Sequence, residues 1–320
     1  MEKESKIFVA GHRGFVGSNL IDKLKALGYT NVHGYSRSQL DLSDGKKVLD
    51  KLQNESFDYV FICAAKCGGV QANIDDPYTF LFDNLAIQNS VINACIKSRV
   101  KKVLFLGSSC IYPANYKQPL KEEYILNAPV ETTNEGYSIA KIAGLKLCEY
   151  ANRMYGKKMR GVEYSTRFVS LMPCNLYGPG DDFDLRNSHV MAALIRRFIE
   201  AKNRGDSSIS LWGSGKARRE FLYIEDLAEC MIWSMNNIPY TETFLNVGSG
   251  EDISISDLAS KINVLTGGNQ LELVFDTTKP EGMLLKCLDI SRMKDVGWQS
   301  KTTLDEGIKK TIEYFRGVGV

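Results

Sequence analysis

"FVAGHRGFVGSNL", residues 8–20, decides the fold. An apolar run ends at Ala10, glycines stand at 11, 14 and 17, and an amphipathic stretch follows. A chain that turns tightly, lets phosphates approach its backbone and restarts at once as a helix must drop a side chain at each of those three steps. A bare glycine triplet also occurs in ordinary turns, but a strand before it and a helix after it mark a dinucleotide site. The loop therefore predicts cofactor contacts at Gly11, Arg13, Gly14, Phe15, Val16 and Gly17.

Outward from this loop, short β-branched or aromatic runs alternate with longer amphipathic stretches, the pattern of a parallel sheet with crossover helices. Strands are predicted at 6–10, 32–35, 59–63, 103–106, near 168–171 and at 244–247, and helices at 18–27, 43–52, 84–98 and 137–154. The fold class is α/β, a doubly wound parallel sheet. After Leu176 the rhythm breaks into "YGPGDDFDLRNSHV" (177–190), a basic helix at 190–202 and the loop "WGSGKARREF" (212–221). Residues 1–176, with a returning segment near 220–250, are expected to form the dinucleotide domain. Residues 177–320 are expected to form mainly a smaller α/β domain over the carboxyl edge of the sheet, where ligands bind in such folds. The polar stretch 156–166 reads as a loop without a legible role.

At 320 residues the chain can bury a large core, and no stretch approaches the roughly 20 apolar residues of a membrane span. A net charge of +2, with the signs interspersed, argues against nucleic-acid or membrane partners. The eight cysteines contain no CxxC pair and only three histidines exist, so no metal site is expected. The start "MEKESKIFVAG" enters a strand pattern directly, which predicts a cytoplasmic protein with most thiols reduced.

Two details refine the cofactor and the chemistry. The second strand ends in "GYSRSQLDL" (34–42), with Arg37 where NAD binders usually carry a carboxylate. With Arg13 it suits a 2′-phosphate, so NADPH is favoured, while Asp41 and Leu42 border the adenine. The alternative is a solvated Arg37 with Asp41 reaching the ribose. Of 15 tyrosines only Tyr137 has a lysine four residues later, Lys141, which places both on one helix face. A neighbouring ammonium is expected to pull the phenol down from its ordinary pKa of about 10. Ser108, at the end of the fourth strand, can bond the same substrate oxygen, which completes a ketone reductase site.

The segments "VAGHRGFVGS", "AAKCGGVQAN", "LGSSCIYP", "GYSIAKIAG", "NLYGP", "NSHV" and "REFLYIEDLA", in this order over nearly the whole chain, resemble the GDP-L-fucose synthases of the extended short-chain dehydrogenase/reductase group. The resemblance implies an NADPH-dependent enzyme that epimerises C3 and C5 of GDP-4-keto-6-deoxy-D-mannose and then reduces C4. It makes Ser108, Tyr137 and Lys141 the reductase triad, and Cys110 and His189 the epimerase base and acid. By position it also implies that Asn175 and Leu176 lie near nicotinamide and sugar, that Trp212, Arg219 and Lys286 clamp the nucleotide sugar, and that two copies pair as a homodimer. Residues 283–285, Met-Leu-Leu, and Cys174 depart from the family pattern, which leaves another GDP-4-keto sugar, a heptose or dideoxy sugar, as the alternative substrate. A non-catalytic dinucleotide sensor would have no need of the five reactive side chains together.

Overall fold

The computed structural model describes residues 1–154, 158–159, 162–163, 165–239, 242–279 and 282–318. The first half alternates as β1 (Ile7–Ala10), α1 (Phe15–Ala26), β2 (Val32–His33), α2 (Gly45–Glu55), β3 (Tyr59–Ile62), the short α3 (Val70–Asp75), α4 (Pro77–Lys97), β4 (Lys102–Leu106) and α5 (Glu135–Arg153). Next, β5 (Lys158–Met159) and β6 (Val162–Glu163) pair antiparallel. The other residues of 155–164, among them five of the eleven in the predicted 156–166 loop, lie outside the described residues.

The second half comprises β7 (Arg167–Pro173), β8 (Asn175–Tyr177), α6 (Val190–Arg204), β9 (Ser208–Trp212), β10 (Arg218–Tyr223), α7 (Ile224–Asn237) and β11 (Phe244–Val247). It continues as β12 (Asp252–Ser254), α8 (Ile255–Leu265), β13 (Glu272–Asp276), β14 (Leu285–Lys286), α9 (Ser291–Asp295) and α10 (Leu304–Val318).

The main sheet runs β11-β7-β4-β3-β1-β2, every pairing parallel. Apart from the half-buried edge strand β2, its strands are largely buried on both faces, and so they read as unbroken apolar runs such as Ile7–Ala10. Helices α2, α4 and α5 pack together, as do α1 and α7. The chain reverses its strand order between β1 and β3, and the carboxyl ends of β1, β3, β4 and β7 open onto one crevice.

Two apolar cores hold the molecule together. The larger one joins the main sheet to α7, β11 and Leu288, Ile290, Met293 and Trp298. The smaller one gathers Tyr177, Phe183, α6, Phe221, Tyr223, Leu258 and Phe315. The chain after β14 is thus shared between the two.

Several boundaries differ from the sequence pattern for identifiable reasons. Helix α1 begins at Phe15 rather than 18, because Gly14 is its N-cap. Helix α4 begins at Pro77 rather than 84: Asp76 caps it by accepting from the Thr79 N–H, and proline suits the first position. Its first turns turn Tyr78 and Phe82 outward in a stacked pair, which masks the apolar period. Asp44, not Ser43, caps α2, and β2 is only two residues long.

Candidate active site

At the carboxyl ends of β1, β3, β4 and β7 lies a cavity of about 890 Å³. One wall is the glycine loop. Gly11 has a φ of +88°, and a Cβ there would lie 2.6 Å from the backbone N of Ala64. A Cβ on Gly17 would fall 2.1 Å from the Gly11 carbonyl oxygen. At Gly14 the nearest protein atom would be 3.5 Å away, so space there is kept for something other than the protein. Gly14 caps α1 with no side-chain hydrogen bond, which leaves the helix's first amides free to meet an anion. The loop fits the pyrophosphate of a dinucleotide.

The catalytic candidates converge on the same cavity. Ser108, Cys110, Tyr137, Lys141 and His189 all line it, with Asn175, Leu176 and Lys286. Ser108 caps the short 3₁₀ turn Ser109–Ile111, accepting from the Cys110 N–H at 3.3 Å, and this turn carries the buried Cys110 into the cavity. Lys141, buried, donates to the Leu106 carbonyl at 2.9 Å, and its Nζ lies 5.7 Å from the centre of the Tyr137 ring. The expected depression of the Tyr137 pKa is not found. Burial, with the Cys67 and Cys110 sulfurs next, pushes the phenol well above its ordinary value. Burial likewise lowers Lys141, against the pull of the Cys67 and Cys110 thiols. Tyr137 is therefore a phenol, a proton donor, at neutral pH.

His189 is the N-cap residue of α6 and faces the open cavity. Crowding by protein atoms lowers its pKa, the Lys286 ammonium adds to this, and the Asp182 carboxylate opposes it. Lys286 itself is lowered by burial, with Cys110 and Arg219 acting on it in opposite directions. Arg219 stands beside Lys286 across the β10–β14 pair and donates to the Met283 carbonyl at 2.6 Å.

The remaining predicted residues lie outside the cavity lining. Arg13 is exposed, and the Arg37 side chain is 87% exposed with its Nε 3.6 Å from Asp41. Asp41 is held by the Ser43 N–H and hydroxyl at 3.0 and 2.7 Å, and those bonds lower its pKa. Leu42 packs against the main core. Trp212 is 63% exposed on the β9–β13 pair, with Lys279 Nζ 5.9 Å from its ring centre.

Among the lining residues that the sequence reading left without a role are Cys67 and Asp181. Cys67 donates from Sγ to the Tyr137 hydroxyl at 3.5 Å. Its signal was available, since it follows β3 much as Ser108 follows β4. Asp181 also lines the cavity; its Oδ2 is buried without a hydrogen-bond partner among the described residues, and burial pushes its carboxyl up to about 7. Nothing in "GPGDDFD" separates it from its acidic neighbours.

A doubly wound parallel sheet with an uncapped glycine-loop helix, facing a buried Tyr-Lys pair and a serine, defines a dinucleotide-dependent enzyme of the short-chain dehydrogenase/reductase type. Residues 7–248 match the NAD dependent epimerase/dehydratase family. The chain is 43% identical to a putative GDP-L-fucose synthase 2 of Arabidopsis thaliana, covering 98% of this chain and 93% of that protein. It is 41% identical to the GDP-L-fucose synthase of Escherichia coli K12, over 98% and 97%. Among solved structures, the GDP-mannoheptose C4 reductase from Campylobacter jejuni with NADP bound superposes at a TM-score of 0.87 and 35% identity, covering 99% of both chains. The chain belongs to the NAD dependent epimerase/dehydratase family.

Proposed function

We propose that the chain converts GDP-4-keto-6-deoxy-D-mannose to GDP-L-fucose with NADPH, epimerising C3 and C5 and then reducing C4. The observation that carries this reading is the meeting of Cys110 and His189 with Ser108, Tyr137 and Lys141 in the cavity that the glycine loop closes. The cradle fits NADPH, held at Gly11, Gly14, Phe15, Val16 and Gly17, with Arg13 and Arg37 available to a 2′-phosphate; when bound, it supplies the hydride for C4.

The protein's own groups divide the rest of the work. C3 and C5 flank the ketone, so their protons leave once the C4 oxygen is held, and the hydroxyls of Ser108 and Tyr137 hold it. Inversion needs one group to take a proton and another to return one on the opposite face. Cys110 and His189 fill these roles, and a neutral His189 has one nitrogen to accept a proton and one to give it. On reduction Tyr137, kept protonated by burial, gives its proton to the new C4 alkoxide, and Lys141 restores charge balance beside it. Asn175, Trp212, Arg219 and Lys286 bind the nucleotide sugar, the two cations meeting its diphosphate.

Pairing of two copies through α4 and α5 is supported by the exposed apolar residues Tyr78, Phe82, Ile139, Leu147 and Tyr150 on those helices. A cytoplasmic location agrees with eight free thiols. Among the described residues no helix is long and apolar enough to cross a membrane. A second reading, C4 reduction of a GDP-4-keto heptose or dideoxy sugar, is favoured by the apolar Met283 and Leu284 next to Arg219 and by the likeness to the heptose reductase.

Mass spectrometry of the product made from GDP-4-keto-6-deoxy-D-mannose and NADPH in heavy water tests the proposal. A reduced product with two carbon-bound deuterons is expected. Reduction without deuterium would leave a plain C4 reductase, and no turnover would direct the search to other GDP-4-keto sugars.

A further inference from the structure

Edge strand β11 carries an oddity: "FLNV" puts a fully buried asparagine, Asn246, where a parallel strand ordinarily holds an aliphatic residue. A buried amide is destabilising unless its polar atoms find partners. At Asn246 they do. Its backbone N–H donates to Glu122 Oε1 at 2.9 Å, and its Oδ1 accepts from the Tyr112 hydroxyl at 2.5 Å. Its Nδ2 donates to the carbonyls of Leu120 at 2.9 Å and Asp289 at 3.1 Å.

These partners lie behind the cavity lining, on segments that adjoin two lining residues, Cys110 and Lys286. Tyr112, buried, follows Cys110 by two residues and leaves the same 3₁₀ turn. Leu120 and Asp289 belong to a small backbone ladder in which the Leu120 N–H donates to the Cys287 carbonyl and the Asp289 N–H to the Leu120 carbonyl, both at 2.8 Å. That ladder begins one residue after Lys286. Glu220 grips the same segment from the other side, accepting from the Leu288 N–H at 2.8 Å. Lys286 stands within electrostatic reach of Cys110.

We propose that Asn246 is a positioning residue for proton transfer at C3 and C5: through Tyr112 and Asp289 it locks the Cys110 turn to the Lys286 strand, holding the thiol beside the ammonium and at the sugar. The inference rests on the reading of Cys110 as an epimerase group. Reduction depends less on this lock, because Tyr137 and Lys141 stand on α5, with Lys141 anchored on the Leu106 carbonyl at the end of β4, and only Ser108 of that triad adjoins the Cys110 turn.

The test is Tyr112→Phe, which removes one link and keeps the ring; Asn246→Ala, which strips the whole hub, is the second variant. Two rates are compared in full-length protein. One is deuterium wash-in from heavy water into the 4-keto substrate without reductant. The other is NADPH formation on mixing GDP-L-fucose with NADP⁺, which needs hydride transfer and no epimerisation. Misplacing a reacting group by a fraction of an ångström to 1 Å slows its step by about 10- to 100-fold, so wash-in should fall about tenfold in Tyr112→Phe. Hydride transfer should fall several-fold less than wash-in, since Tyr137 and Lys141 stay anchored on α5 and only Ser108 and Lys286 border the loosened segments. If wash-in is unchanged, or both rates fall together, the lock is only structural and the inference is overturned. Cys110→Ser, run alongside, separates the premise: wash-in at the wild-type rate there would remove the thiol from the reaction itself.

Discussion

On its cofactor wall the cavity is built by omission, at Gly11 and Gly17, where any side chain would collide with backbone, and at Gly14, where an added carbon would come no closer than 3.5 Å to the protein. On its sugar wall it is built by collection, from side chains of Cys110, Asn175, His189 and Lys286 that arrive on separate segments of chain. Omission is local, so it can be written in seven consecutive residues and tolerates few substitutes. Collection depends on the packing of distant segments through groups such as Asn246 and Glu220. The two walls should therefore fail differently when they are altered.

The largest contrast is expected at Tyr137, which in the proposed mechanism serves both halves of the reaction through one oxygen. Tyr137→Phe removes the proton donor for the alkoxide and should slow reduction by about 10²- to 10⁴-fold. In the proposed mechanism Ser108 would still hold the C4 oxygen, so deuterium exchange at C3 and C5 should persist at a reduced rate. Stopped-flow NADPH oxidation beside wash-in shows the split, and equal losses in both would place Tyr137 outside the reduction step.

Next in size is a pH effect on stability at Glu220, which braces the segment after Lys286. Glu220 is fully buried, and burial raises its carboxyl from 4.5 to about 7, although the N–H groups of Gly250 and Leu288 donate to it. An acid with a raised folded-state pKa binds its proton more tightly folded than unfolded. Its contribution to stability is complete below the unfolded value near 4.5 and is lost as the pH rises through about 7. A shift of this size corresponds to on the order of 3 kcal/mol of stability across that window. Denaturant unfolding of Glu220→Gln at pH 4.5 and at pH 8 should show that slope removed. The slope of the wild type retained in the variant would assign it to other groups, with Asp181 the first to examine.

The contrast between the walls also explains what the sequence made legible. The glycine loop, the alternation of strands and helices, and Tyr137 with Lys141 could be read because each is a local spacing that folding preserves. Cys110 and His189 gained their roles only from the resemblance, because no spacing along the chain reports that residues 79 positions apart share a cavity. The pKa of Tyr137 was misjudged because a sequence shows the ammonium four residues away but not the burial that outweighs it. Helix α4 was read seven residues short, since Tyr78 and Phe82 face outward and break the apolar period from which a helix is read. Asp181 and Asn246 were invisible, since what makes them unusual is burial alone.

A smaller effect tests omission directly. Gly17→Ala forces a Cβ against the Gly11 carbonyl and should destabilise the protein by roughly 1–3 kcal/mol while weakening NADPH binding. Gly14→Ala meets no protein atom closer than 3.5 Å and should melt within a degree or two of the wild type, yet still bind NADPH more weakly. Thermal unfolding with and without NADPH separates the two. A stable Gly14→Ala with unchanged affinity would mean that the cofactor does not pass over that glycine.

The smallest effect expected is at Arg37, to which the proposed reading gives the choice between NADPH and NADH. Its side chain is 87% exposed and its contact with Asp41 is a loose surface pair, which contributes under about 1 kcal/mol. Arg37→Ala should accordingly leave the melting temperature unchanged. A guanidinium on a 2′-phosphate forms charge-assisted hydrogen bonds of about 1.5–3 kcal/mol, so the preference for NADPH over NADH in kcat/KM should fall about 10- to 100-fold. The competing arrangement has Asp41 on the ribose, and it makes the opposite demand: Arg37→Ala would be silent and Asp41→Ala would weaken NADH more than NADPH. Asp41 already accepts both the N–H and the hydroxyl of Ser43, which occupies the oxygen nearest the turn and favours Arg37 as the discriminating side chain.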